Sequence, residues 1–188
     1  MNNLFTKAAF FAVILLLVSV IAGQNLSAYA YVSNPPSFGG GKVVHYTDGL
    51  EINGNIFDIS QFSQKISKPQ ILTVGKSSTI TLKIFDNAGP ASVKWAALYM
   101  NIWGPNLVVS GSDTFIQYNL NKNLIILNDH QKLLGTVTAE SKISGQYVYV
   151  TFHITPISKM ATSNLIVTAV DDHRATTNSL IIDAIKFS

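Results

Sequence analysis

The sequence predicts an all-β chain, an antiparallel β-sandwich of about ten short strands, on the strength of three observations. Apolar and polar residues alternate with period two in one segment after another. Clusters of Gly, Pro and Asn separate those segments at hairpin or loop spacing. After residue 31 no stretch sustains the 3.6-residue apolar period of an amphipathic helix.

The first 30 residues are the exception, and they read as a hydrophobic signal or anchor helix. Lys7 supplies a positive start, Ala8 to Gly23 form an apolar run, and Ala28-Tyr29-Ala30 offers small residues at both positions of a cleavage site. Cleavage there leaves Tyr31 as the new N-terminus. Retention as a membrane span is the alternative, since Leu4, Phe5 and Leu26 stretch the run towards the ~20 residues that a bilayer requires. On both readings residues 31–188 lie outside the cytoplasm, secreted or anchored to the outer face of the membrane. Residues 31–42 are expected to be a flexible linker: Ser33 to Gly41 reads SNPPSFGGG, a composition that disfavours packed structure. The folded domain is then 43–188.

Within that domain, Leu50–Ile52 and Ile56–Ile59 flank Asn53-Gly54-Asn55, whose Asn-Gly step tolerates the positive φ of a hairpin turn. Ile71–Val74 leads through Gly75-Lys76 into Thr79–Phe85, where Ile80, Leu82 and Ile84 share one face and Thr79, Thr81 and Lys83 the other. Val93–Ile102 follows the turn Asn87-Ala88-Gly89-Pro90, with Trp95 expected as a core aromatic. Phe115–Leu120 and Leu124–Leu127 surround Asn121-Lys122-Asn123. Gly135–Glu140 and Gln146–Ile154 surround Ile143-Ser144-Gly145, and Leu165–Val170 and Leu180–Phe187 complete the set. So many short strands without helices between them fit an immunoglobulin-like β-sandwich, although the Cys…Trp…Cys core of antibody domains is absent.

The absence of cysteine excludes a disulfide framework, thiolate zinc, iron–sulfur and blue-copper centres, and a cysteine nucleophile. A formal charge of +3 is too slight for a nucleic-acid binder, which carries a dense basic stripe. Serine-hydrolase, zincin, phosphate-loop and dinucleotide patterns are missing. What remains for chemistry is four histidines, His45, His130, His153 and His173, the natural ligands for copper or zinc. Their spacing matches no known metal motif. His153 falls on the strand face shared by Tyr149 and Thr151, away from the apolar Val148, Val150 and Phe152. Asp129-His130 and Asp172-His173 put a carboxylate beside an imidazole, yet neighbours on extended backbone point opposite ways, so both pairs read first as turn-capping residues. Met160 is a further ligand to weigh. Tyrosines, tryptophans and abundant Ser, Thr and Asn suit contact with proteins or sugars.

The run ILTVGKSSTITLKIFDN, Ile71 to Asn87, resembles the opening strands of bacterial and archaeal immunoglobulin-like surface domains. Tyr46-Thr47-Asp48-Gly49-Leu50-Glu51-Ile52-Asn53-Gly54, Ala97-Leu98-Tyr99-Met100-Asn101, Val150-Thr151-Phe152-His153-Ile154-Thr155 and Asp183-Ala184-Ile185-Lys186-Phe187 resemble a group of uncharacterised exported proteins of ammonia-oxidising archaea. That resemblance implies an exported β-sandwich without an assigned activity, in organisms that use copper outside the cell. The sequence lacks the cysteine of a blue site and a histidine at Tyr31, so a copper role requires histidines alone.

The expectation is a non-enzymatic interaction or structural module of the cell envelope, with no cofactor, whose partner is an envelope protein or surface glycan. Its contact with membrane is confined to residues 1–30. Two alternatives stand beside it: an exported copper- or zinc-binding protein using the four histidines, and an envelope-polymer hydrolase with two carboxylates facing across a cleft.

Overall fold

A computed structural model describes residues 34–40, 48–104 and 114–188. The signal or anchor helix expected over residues 1–30 lies outside them, as does His45. Among the described residues no helix is long and apolar enough to cross a membrane.

The chain is all-β. In order, the strands are β1 (Ser37–Phe38), β2 (Leu50–Ile52), β3 (Asn55–Phe57), β4 (Ser63–Lys65), β5 (Gln70–Leu72), β6 (Ser78–Phe85) and β7 (Val93–Ile102). There follow β8 (Thr114–Asn119), β9 (Leu124–Asp129), β10 (Leu134–Ser144), β11 (Tyr147–Pro156), β12 (Met160–Asp171) and β13 (Thr176–Phe187). A single 3-10 turn, Pro90–Ser92, interrupts them among the described residues. The strands form a six-stranded sheet, β10-β11-β6-β2-β3 with β1 also on β6, and a seven-stranded sheet, β4-β13-β12-β7-β8-β9 with β5 also on β13.

Turn chemistry sets the hairpin registers. Asn53 and Gly54, at φ 49° and 85°, make the expected turn, while Asn55, expected within it, begins β3 as the partner of Ile52. The β10–β11 turn falls on Gly145-Gln146 rather than on Ile143-Ser144-Gly145. Ser144 pairs with Tyr147, and Gly145 supplies the positive φ of 60°. At β8–β9, Asn119 Oδ1 accepts from Lys122 N at 2.9 Å, and the Tyr118 hydroxyl donates to Asn123 Oδ1 at 2.8 Å.

Alternation delivers one continuous core from both sheets. Leu82, Ile84, Val148, Val150 and Phe152 from the six-stranded sheet cluster with Leu98, Met100, Ile116, Leu165 and Ile185 from the seven-stranded one. Removing this apolar surface from water is the main force holding the sheets together.

Three expectations need correction. The stretch 31–42 is not wholly linker, because Phe38 is 2% exposed within the core and Ser37 and Phe38 pair with Phe85 and Ile84. The Pro-Pro pair fixes an extended entry, and the first large apolar side chain after it finds the core. Trp95 is half-buried rather than central: Ala96, Leu98 and Met100 take the inward positions of β7, so Trp95 and Tyr99 share the outward face. The pairing is also not antiparallel throughout. β4 and β5 run parallel to β13, opposite Leu180–Ile182 and Ile185–Phe187, and are separated by a break containing Pro69, which cannot donate to a ladder.

Gly49 marks where β1 crosses close to β2. A Cβ there would lie 2.8 Å from Ile59 Cγ1 and 3.0 Å from Phe38 Cβ, too close without displacing core atoms. Gly49→Ala is therefore expected to cost about 1–3 kcal/mol. The check is a lower urea midpoint at unchanged slope; an unmoved midpoint refutes the tight crossing.

Candidate functional site

Among the described residues, His130, His153 and His173 lie on three separate segments. His130 is exposed in the turn after β9, His153 is on β11 and His173 is in the β12–β13 turn. Among the described residues, the one group of three or more His, Asp or Glu ligand atoms lying within 4.8 Å of each other is Asp171, Asp172 and His173. It contains a single histidine. Its geometry is that of a turn: Asp171 is fully buried, its Oδ1 accepts from Ala175 N at 2.7 Å, and its backbone N–H donates to Ala175 O at 3.1 Å. His173 Nδ1 sits 2.7 Å from Asp172 Oδ1. Met160 is 4% exposed and belongs to the core.

His153 does face outward, with Tyr147, Tyr149 and Thr151, on the outer side of the six-stranded sheet. Register places Tyr149 between Lys83 of β6 and Lys142 of β10, and Thr151 between Thr81 and Glu140. Two close contacts between ionisable groups lie on this face. Lys83 Nζ bonds Asp48 and lies 4.2 Å from the Tyr147 ring centroid. Burial opposes the Lys83 charge, but Asp48, reinforced by Tyr149 and Tyr147, holds its ammonium above the ordinary lysine range. His153 Nε2 is 3.6 Å from Glu140 Oε1. Two hollows of about 100 and 310 Å³ meet at Thr81 and Tyr149. The first is smaller than an organic ligand needs, and the second is at the lower limit of about 300 Å³.

A larger groove of about 440 Å³ opens elsewhere, where three remote segments converge. Pro35, Pro36 and Phe38 form one wall, Ile59 to Phe62 a second, and Thr176 to Asn178 a third. The walls are tied by the Thr177 hydroxyl donating to Pro36 O and by the Ser179 hydroxyl donating to Gln61 O at 2.8 Å. Phe62 is 65% exposed, and no charged residue lines the groove.

No protein-family profile and no curated protein matches the chain. Among solved structures it is similar to a DUF4466 family protein from Parabacteroides merdae, with 11% identity and a TM-score of 0.30. The match covers 76% of this chain and 46% of that one, so the chain spans about half of that protein's length.

Nothing in the sequence singles out Phe62, Gln61 or Asn178. Each lies in an ordinary polar loop or strand end, and only the parallel seating of β4 against β13 brings Gln61 and Phe62 beside Thr177 and Asn178.

Proposed function

We propose that the chain is an exported, non-enzymatic interaction module of the cell envelope, built as an immunoglobulin-like sandwich, whose groove binds a neutral surface glycan. The groove carries the reading. Its aromatic side chain at Phe62 offers a flat apolar surface, while Ser60, Gln61, Thr176 and Asn178 offer hydroxyl and amide groups without charge. Aromatic faces and adaptable amides are the combination that recognises uncharged polar ligands. An uncharged lining also speaks against hydrolysis, which requires an acid and a base or nucleophile at the reacting bond. The immunoglobulin-like description is supported by two mainly antiparallel sheets enclosing one core, and the exported location by residues 1–30.

The test is titration calorimetry of the protein, as recovered after export, with neutral and with acidic oligosaccharides. Binding of a neutral oligosaccharide that weakens about tenfold in Phe62→Ala is the expected result, equivalent to about 1.4 kcal/mol. Binding that is indifferent to Phe62→Ala, or absent for every neutral sugar, overturns the assignment.

A further inference from the structure

Among the described residues three buried side-chain atoms lack a hydrogen-bond partner, and two of them belong to consecutive residues, Asp86 Oδ2 and Asn87 Oδ1. Both are acceptors. They lie in the turn that follows β6, where Asp86 O accepts from Gly89 N at 3.0 Å and Asp86 Oδ1 accepts from Ala88 N at 2.7 Å. Capping the turn therefore accounts for Oδ1 and leaves Oδ2 unexplained. Asp86 is 2% exposed, and no ion pair among the described residues includes it. A buried carboxylate with neither donor nor counter-charge is costly, and folded proteins keep one where it is paired or coordinates a metal. Two orphaned acceptors in one turn call for a positive charge between them.

We propose that this turn binds a calcium ion through Asp86 Oδ2 and Asn87 Oδ1, with water or backbone oxygen completing the shell. The donor set selects the ion. A carboxylate and an amide oxygen are hard ligands, which suit calcium or magnesium rather than copper or zinc. Neither oxygen is open to solvent, so the ion must shed water to reach them. Magnesium dehydrates reluctantly, whereas calcium accepts oxygens at about 2.3–2.6 Å in irregular geometry. The surroundings favour a cation as well. Gly89 O accepts from Ser92 N at 3.1 Å and from the Ser92 hydroxyl at 2.6 Å, and Ser92 O accepts from Asp172 N at 2.9 Å. The turn that carries the Asp171 and Asp172 carboxylates is thereby bonded to the same 3-10 turn, which adds negative potential. One carboxylate and one neutral amide make a weak site, in the range of about 10⁻⁴–10⁻³ M that extracellular modules use. Because β6 lies in the six-stranded sheet and β7 in the seven-stranded one, the ion braces a connection between the two.

The test strips the exported protein of divalent ions with a chelator and titrates it with calcium chloride and with magnesium chloride by calorimetry. One calcium per chain is expected, tighter than magnesium, with a melting temperature about 3–6 °C higher at ten times the Kd. Asp86→Asn should abolish that rise. In chelator the same variant should melt no lower than the unaltered chain, because the orphaned charge is gone and the amide oxygen still accepts from Ala88 N. Asn87→Asp adds a second carboxylate and should tighten calcium about tenfold, since ligand charge sets affinity in such sites. That gain decides the matter even where Asp86→Asn folds poorly. Asp172→Asn, in the adjoining turn, should leave the Kd within about twofold. Absence of calcium binding, a response that sodium chloride reproduces at equal ionic strength, or binding that survives Asp86→Asn overturns the assignment. So does Asn87→Asp without a gain in affinity, or a larger loss in Asp172→Asn than in Asp86→Asn.

Discussion

Replacing Phe152 with alanine should lower stability by about 3–5 kcal/mol, among the largest effects of any single truncation in this chain. Phe152 is fully buried on β11, paired with Ile80 on one side and Ala139 on the other. It is among the largest side chains with no accessible surface. Truncation removes its apolar surface and leaves a void that flanking strands cannot close, because both neighbours are held by continuous ladders. For a domain of this size the melting temperature should fall by roughly 10 °C. Thr151→Ala, one residue away on the outer face, serves as the comparison and should shift stability by less than about 1 kcal/mol. Equal losses at the two positions would refute the inward and outward assignment of β11.

Asp129→Ala should cost about 3 kcal/mol. The carboxylate accepts from Leu133 N at 3.0 Å, from Leu134 N at 2.8 Å and from the Thr114 hydroxyl at 3.2 Å. Hydrogen bonds to a charged group contribute about 1.5–3 kcal/mol each and do not sum fully. These bonds hold the passage in which the chain leaves the seven-stranded sheet at β9 and enters the six-stranded sheet at β10. Their loss would also expose the Leu133 and Leu134 amides to exchange, which hydrogen exchange reads directly. His130→Ala should stay within about 0.5 kcal/mol, since that side chain is exposed. If His130→Ala were as damaging as Asp129→Ala, the turn-capping account of this pair would fail.

Asp129 also shows how much of the molecule the sequence carried. A carboxylate beside an imidazole invited a metal reading, but the alternation rule for extended chain already pointed to a turn, and the turn is what Asp129 caps. His153 was placed on the outer face by the same period-two argument, and its half-exposure agrees. Local signals of this kind depend on neighbours in the chain, so the hairpins at Asn53-Gly54 and Asn121–Asn123 were legible. Trp95 was misplaced because both faces of β7 carry apolar side chains, Ala96 and Leu98 on one and Trp95 and Tyr99 on the other, and composition alone does not say which faces in. The groove was illegible for a different reason: its third wall lies more than a hundred residues from the other two, as the Gln61–Ser179 bond with a separation of 118 shows.

The parallel seating of β4 and β5 on β13 also governs the order of assembly. β13 is the last strand of the chain, so two earlier strands have no sheet partner until it is synthesised. Contacts this distant in sequence are slow to form, and folds dominated by them take milliseconds to seconds. A nascent chain emerging at about 5–20 residues per second therefore spends several seconds with β4 and β5 unmatched. In that interval β4 and β5 keep their backbone N–H and C=O groups open to water and to other strands.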